Sequence, residues 1–135
     1  VSVRVVVQVK NVERTALQFK KLRSEGPKAA ARGLYKVANQ IMTDSKRIVP
    51  ILHGVLASTG YVAHPVITGS RVTVNLGYGG PAAPYAVVQH ENLSFHHKPG
   101  RQAKYLESPA IKRSKDIGAA VAGEISTAFR RYAKR

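Results

Sequence analysis

The chain contains no cysteine and no tryptophan. Without cysteine there is no disulfide, no thiolate nucleophile and no cysteine-ligated zinc. No apolar run approaches the ~20 residues that a bilayer-crossing helix needs. The opening "VSVRVVVQVK" alternates with charge and is too short and polar for a signal peptide. Acidic residues are scarce, seven Asp and Glu among 135 positions. An acid–base pair would have to come from Glu91 with Glu107, or from Asp44 with Asp116, and nothing in the sequence joins either pair. There is no Gly-x-Ser-x-Gly nucleophile elbow. The glycines of "GYGG" at 77–80 lack the Gly-Lys-Ser/Thr of a phosphate loop. His90, Glu91, His96 and His97 hold metal-ligating atoms, but not at the His-Glu-x-x-His spacing that puts two imidazoles on one helical face. The expectation is no catalytic residue, no metal and no cofactor.

What is abundant is positive charge. Twenty-two Lys and Arg give a formal net charge of +15. Such a chain repels copies of itself and seeks polyanions or acidic protein surfaces. The excess is spread along the whole length, with clusters at Lys20, Lys21 and Arg23, at Lys46 and Arg47, and at Arg101 and Lys104. Lys112, Arg113 and Lys115, followed by Arg130, Arg131, Lys134 and Arg135, form a C-terminal set expected to face either DNA or acidic partners. The apolar fraction of 44% is that of a globular protein with a real core. The length suits one domain, 1–135.

Valines at 3, 5, 7 and 9 alternate with polar residues and predict a strand over 2–10. Asn11 can cap a helix that Gly26-Pro27 ends, and Pro27 can start a second helix running to about Ile48. On that second helix Ala30, Leu34, Val37, Ile41 and Ile48 line one face. Residues 50–62 read as a loop with apolar anchors at Ile51, Leu52, Val55 and Leu56. Residues 60–68 and 71–78 read as a hairpin turning at Gly69-Ser70, and "GGPAAP" as a hinge. A short helix over 84–92 and a long one over 103–133, interrupted near Pro109 and Gly118, complete the pattern. Ile117, Val121, Ile125, Ala128 and Tyr132 make one stripe on the last helix. The fold class is α+β: a small, mostly antiparallel sheet packed against two to four helices, with sheet edges left open for a neighbour.

Between the last two helices lies "NLSFHHKPGRQ", 92–102, which has no periodicity and reads as an extended loop or arm. Its apolar residues are Leu93 and Phe95. With His96, His97, Lys98 and Arg101 they form a candidate interface to a neighbouring subunit, while Tyr85 and Tyr105, with Leu106 and Ala110, are expected to anchor the arm's two ends in the core. No compact helix-turn-helix or zinc finger is present. Phosphate contact without base readout stays open, because it needs only clustered Lys and Arg.

Three stretches carry a resemblance. "SKRIVPILHGVLASTGYV" (45–62) is similar to a segment Ala-Lys-x-x-Val-Pro-Val-x-Thr-Gly-x-Leu-x-x-Ser, with His53 in place of Thr. "VNLGYGG" followed by "PYAVVQHEN" (84–92) is similar to a hairpin leading into Tyr-Ala-x-x-Val-His-Glu, with Gln89 in place of Val. "HHKPGRQAKYLESPAIK" (96–112) is similar to His-x-x-Gly-x-Ala-Lys-Phe/Tyr-Leu-Glu-x-Pro/Ala-Leu. In this order they resemble the small neck proteins of long-tailed bacteriophages, the head–tail joining, tail-completion or minor tail component family. The resemblance implies a structural virion protein with no catalytic residue, made in the host bacterial cytoplasm. It implies a hexameric or dodecameric ring at the head–tail interface, meeting connector and tail-terminator proteins, with genomic DNA in the channel and no membrane. The alternative is a stand-alone, non-sequence-specific nucleic-acid-binding protein.

Overall fold

The computed structural model describes residues 1–8, 20–50, 54–80, 85–93 and 100–133. The expected helix start at Asn11, the anchors Ile51 and Leu52, the hinge at 81–84, and Phe95, His96, His97, Lys98, Lys134 and Arg135 lie outside the described residues. So does the side chain of Tyr132.

The described elements are β1 (Ser2–Gln8), α1 (Lys20–Ile48), α2 (Val55–Ser58), β2 (Tyr61–Val62), β3 (Val66–Thr68), β4 (Arg71–Gly77), α3 (Ala86–Glu91) and α4 (Glu107–Ala133). The fold is α+β. β4 is the central strand, with β1 antiparallel on one side and β2 and β3 antiparallel on the other. Alternation sets the faces: Val3, Val5 and Val7 turn inward opposite Leu76, Val74 and Val72, which are fully buried. Val6 lands on the outer face opposite Thr73 and is 42% exposed. The expected strand over 60–68 is split. Val62 faces Leu76 and Val66 faces Thr73, so four steps on one strand meet three on the other, a one-residue bulge at 63–65. The Ala63 amide still donates to the Asn75 carbonyl, and the bulge stacks His64 on Tyr35 of α1. Gly69 makes the hairpin turn at φ 61°.

α1 is the hub. It packs on the sheet with one side and on α4 with the other. Ala30, Leu34, Val37, Ala38 and Ile41 are all buried, and they join Val72, Val74, Leu76, Val121, Tyr105 and Leu106 in two adjoining apolar clusters. The expected break at Gly26-Pro27 does not occur, and α1 runs straight through it. A proline inside a helix costs ~3 kcal/mol through one lost bond and a clash. Here Gly26, Pro27 and Ala29–Ala31 are buried together, and that packing carries the helix across the site. The interruptions expected in α4 are absent too. Pro109 is the helix's third residue, where an amide has no partner to lose, and Gly118 is simply an exposed interior glycine. Within the segment read as loop, 55–58 forms a helical turn whose Leu56 is buried. Among the described residues no helix is long and apolar enough to cross a membrane.

Candidate functional site

The three stretches singled out in the sequence meet at one end of the molecule. Ser45, near the end of α1, and Tyr78, just past β4, share a buried hydrogen bond of 2.8 Å between their hydroxyls. Tyr105 is fully buried, meets the Tyr78 ring edge-on at 5.1 Å, and donates its hydroxyl to the Ala86 carbonyl at 2.7 Å. The His90 ring also packs edge-on against Tyr105, at 4.9 Å. Burial raises the phenol pKa of both tyrosines above the ordinary value. Tyr105 and Leu106 are therefore anchors as expected. Tyr85 is not: it is 41% exposed, and Tyr78 fills the position in the core expected of it. The tyrosine immediately after β4 outcompetes one on the edge of a six-residue helix.

His90 is buried with both ring nitrogens engaged. The Glu107 amide donates to Nε2 at 3.2 Å, so Nδ1 carries the proton and donates to Glu91 Oε1 at 2.8 Å. The Lys104 ammonium sits between the two carboxylates, bonded to Glu91 and 3.2 Å from Glu107 Oε2. His90, Glu91 and Glu107 bring ligand atoms within 4.8 Å of one another. Yet the imidazole has no spare lone pair, and Lys104 already occupies the place of a cation. Hydrogen bonds from Lys104 and then His90 hold the Glu91 carboxyl below its ordinary pKa, which is the wrong direction for a general acid at neutral pH.

The same cluster closes the base of the 92–102 segment. The Lys104 amide donates to the His90 carbonyl at 2.7 Å, which holds Lys104 at φ 54°, the left-handed region that a lysine rarely visits. Arg101 donates from its guanidinium to the carbonyls of Lys46 (3.0 Å) and Val49 (3.5 Å), and the Gln102 amide donates to Ile48 at 2.9 Å. Orphan carbonyls at the end of α1 are thus satisfied by residues more than fifty positions downstream. Arg101, named among the expected interface residues, caps α1. Leu93 is 76% exposed.

The second carboxylate pair is also joined by a cation. Arg113 of α4 donates to Asp44 of α1 from Nε (2.7 Å) and Nη2 (3.3 Å), and lies 3.5 Å from Asp116. Those bonds hold the Asp44 carboxyl below its ordinary 3.8. Arg113 is therefore paired with both carboxylates while its side chain stays one-third exposed. Lys112 and Lys115 are exposed beside it, while Arg130 and Arg131 sit exposed five helical turns away. The C-terminal basic set is not one patch. A depressed carboxylate stabilises the fold above its ordinary pKa, and that contribution disappears as pH falls through the folded value. Asp44→Asn should cost about 1 kcal/mol at pH 7 for this partly exposed pair, and nothing below the folded pKa. Urea denaturation at neutral and acid pH measures the difference. An equal deficit at both would contradict the pairing.

Between the last turns of α1 and the first turns of α4 runs a groove of about 660 Å³. Arg47, Lys112 and Lys115 rim it, Arg113 with Asp44 and Asp116 crosses it, and Ile48 and Pro109 give it apolar wall. Asp44, Arg47 and Arg113 also line a second depression of about 370 Å³ that continues along α1 to Lys36. The cations of this groove were legible as charge, but Asp44 and Ile48 were not legible as their companions. Compared with models of protein families, with curated proteins and with solved structures, the chain matches none.

Proposed function

We propose that the chain is a structural virion protein of the bacteriophage neck, forming a ring at the head–tail interface around the DNA channel and joining the connector to the tail. The observation that carries this reading is the joint itself. Residues from all three motif stretches are linked there by a chain of contacts, Ser45 to Tyr78, Tyr78 to Tyr105, and Tyr105 to Ala86 and His90. Two features suit a ring subunit. Among the described residues the outer edges of β1 and of β2 with β3 pair with no strand, and open edges are where a neighbour adds on. Arg101, Gln102 and Lys104 moor the C-terminal base of the 92–102 segment. The charge of +15 also suits a stand-alone nucleic-acid-binding protein. Light scattering on the purified chain with and without duplex DNA separates the two readings, because only the latter predicts a discrete complex of one chain with DNA.

Replacing residues 94–99 by a Gly-Ser linker, with Arg101 kept, tests the neck reading directly. The melting temperature should stay within about 3 °C, since the described moorings at Arg101, Gln102 and Lys104 are kept. Particles made with the variant should be DNA-filled heads without stably joined tails. Normal infectious particles would overturn the reading.

A further inference from the structure

We propose that the groove between the last turns of α1 and the first turns of α4 docks an acidic peptide segment of a different protein. Five cations line the groove and its continuation, namely Lys36, Arg47, Lys112, Arg113 and Lys115, against the two carboxylates Asp44 and Asp116. Those carboxylates are spent on Arg113. Lys112 and Lys115 make no ion pair among the described residues, and Arg47 reaches Asp44 only at 3.9 Å with its side chain 75% exposed. The unanswered charge is therefore positive and concentrated on the rim.

The shape favours a peptide over nucleic acid. A groove of about 660 Å³ is of the size that encloses a ligand or a few side chains. A duplex, with phosphates on a convex surface, would touch only the rim and leave the interior of the groove unfilled. Ile48 offers apolar wall that a peptide's aliphatic side chains can cover and a phosphodiester backbone cannot. Asp44 and Asp116 keep acceptor capacity for a peptide's amide groups.

The occupant is not a second copy of this chain. Of the seven acidic residues, Glu25, Asp44, Glu91, Glu107, Asp116 and Glu124 are all in ion pairs within the molecule, and the seventh, Glu13, lies outside the described residues. No two of the seven are adjacent in sequence. Such a chain has no acidic segment to lend. That the partner is a neighbouring neck protein rests on the neck reading; the preference of the groove for an acidic peptide does not.

The test uses the full chain and a fluorescein-labelled peptide of repeating Glu-Glu-Leu, with a labelled random-sequence DNA duplex in parallel. Lys112→Glu with Lys115→Glu should weaken peptide binding ~10-fold or more, the loss expected when steering charges at a contact are reversed. Arg4→Glu with Arg71→Glu makes the same change in net charge on the outer face of the sheet, and should leave peptide affinity within about twofold. All four side chains are exposed, so circular-dichroism melting should show every variant folded. Equal loss from both double variants would reduce the effect to net charge and overturn the proposal. So would peptide binding unchanged by the groove variant, or groove reversal that abolished duplex binding while sparing the peptide. If peptide binding follows expectation while the 94–99 replacement yields normal particles, the neck reading falls and the groove stands.

Discussion

Tyr105→Ala should lower the melting temperature by on the order of 10–20 °C, the consequence of a loss of ~3–5 kcal/mol in a domain of this length. The side chain is fully buried and holds three elements at once. Its ring meets Tyr78 after β4 and His90 of α3, and its hydroxyl is donated to Ala86. Truncation opens a cavity and strands a buried carbonyl. Tyr105→Phe separates the two costs. It keeps the ring and loses only the hydrogen bond, so its deficit should be ~1–2 kcal/mol. Thermal and urea denaturation of the two variants measures both quantities. An Ala variant within 3 °C of the parent would mean that the joint is not what holds α3 and α4 together.

The second large effect belongs to the crossing of α1 and α4. A Cβ on Gly33 would lie 2.7 Å from the Ala120 carbonyl oxygen and 2.8 Å from the Val121 Cα, both backbone atoms of α4. Backbone cannot rotate out of the way as a side chain can. Gly33→Leu should therefore leave the chain unfolded or without fixed tertiary packing. Gly33→Ala should cost ~1–3 kcal/mol by overpacking, even though alanine is the better helix former by ~1 kcal/mol. Gly118→Ala is the matched control. Its Cβ would meet nothing within 4 Å, so only the propensity acts and the protein should gain stability. Opposite signs for one substitution on two helices are the expected result. A stabilising Gly33→Ala would mean that the helices do not approach so closely.

Periodicity made most of the elements legible. Valines at 3, 5 and 7 mark β1, "RVTVNLG" marks β4, and the stripe through Ile117, Val121 and Ala128 marks the buried side of α4. Breaks were read less well, because Pro and Gly carry local penalties that burial elsewhere can outweigh. Pro27 is crossed by packing, and Pro109 falls in a first turn where no bond is lost. The joint was half legible. His90, Tyr105 and Leu106 stood out within motif-like stretches, whereas the promotion of Tyr78 over Tyr85 depends on where β4 ends. Both carboxylate pairs could be named from sheer scarcity of acids. What joins them could not. Asp44 and Arg113 are 69 residues apart, and Lys104 reaches Glu91 only because its own backbone takes a left-handed turn. Arg101 looked like a surface cation because nothing local reveals the end of a helix that began eighty residues earlier.

The internal pairing of the described carboxylates reverses the usual response of an assembly to ionic strength. Contacts made of ion pairs loosen as salt is added. Copies of this chain have no free carboxylate among the described residues with which to make such contacts, and a surplus of cations that keeps them apart. The range of that repulsion shrinks from about 30 Å at 0.01 M to about 8 Å at 0.15 M. Self-association should therefore tighten, not weaken, as salt rises over this range, leaving backbone pairing at the open strand edges and apolar contact to draw copies together.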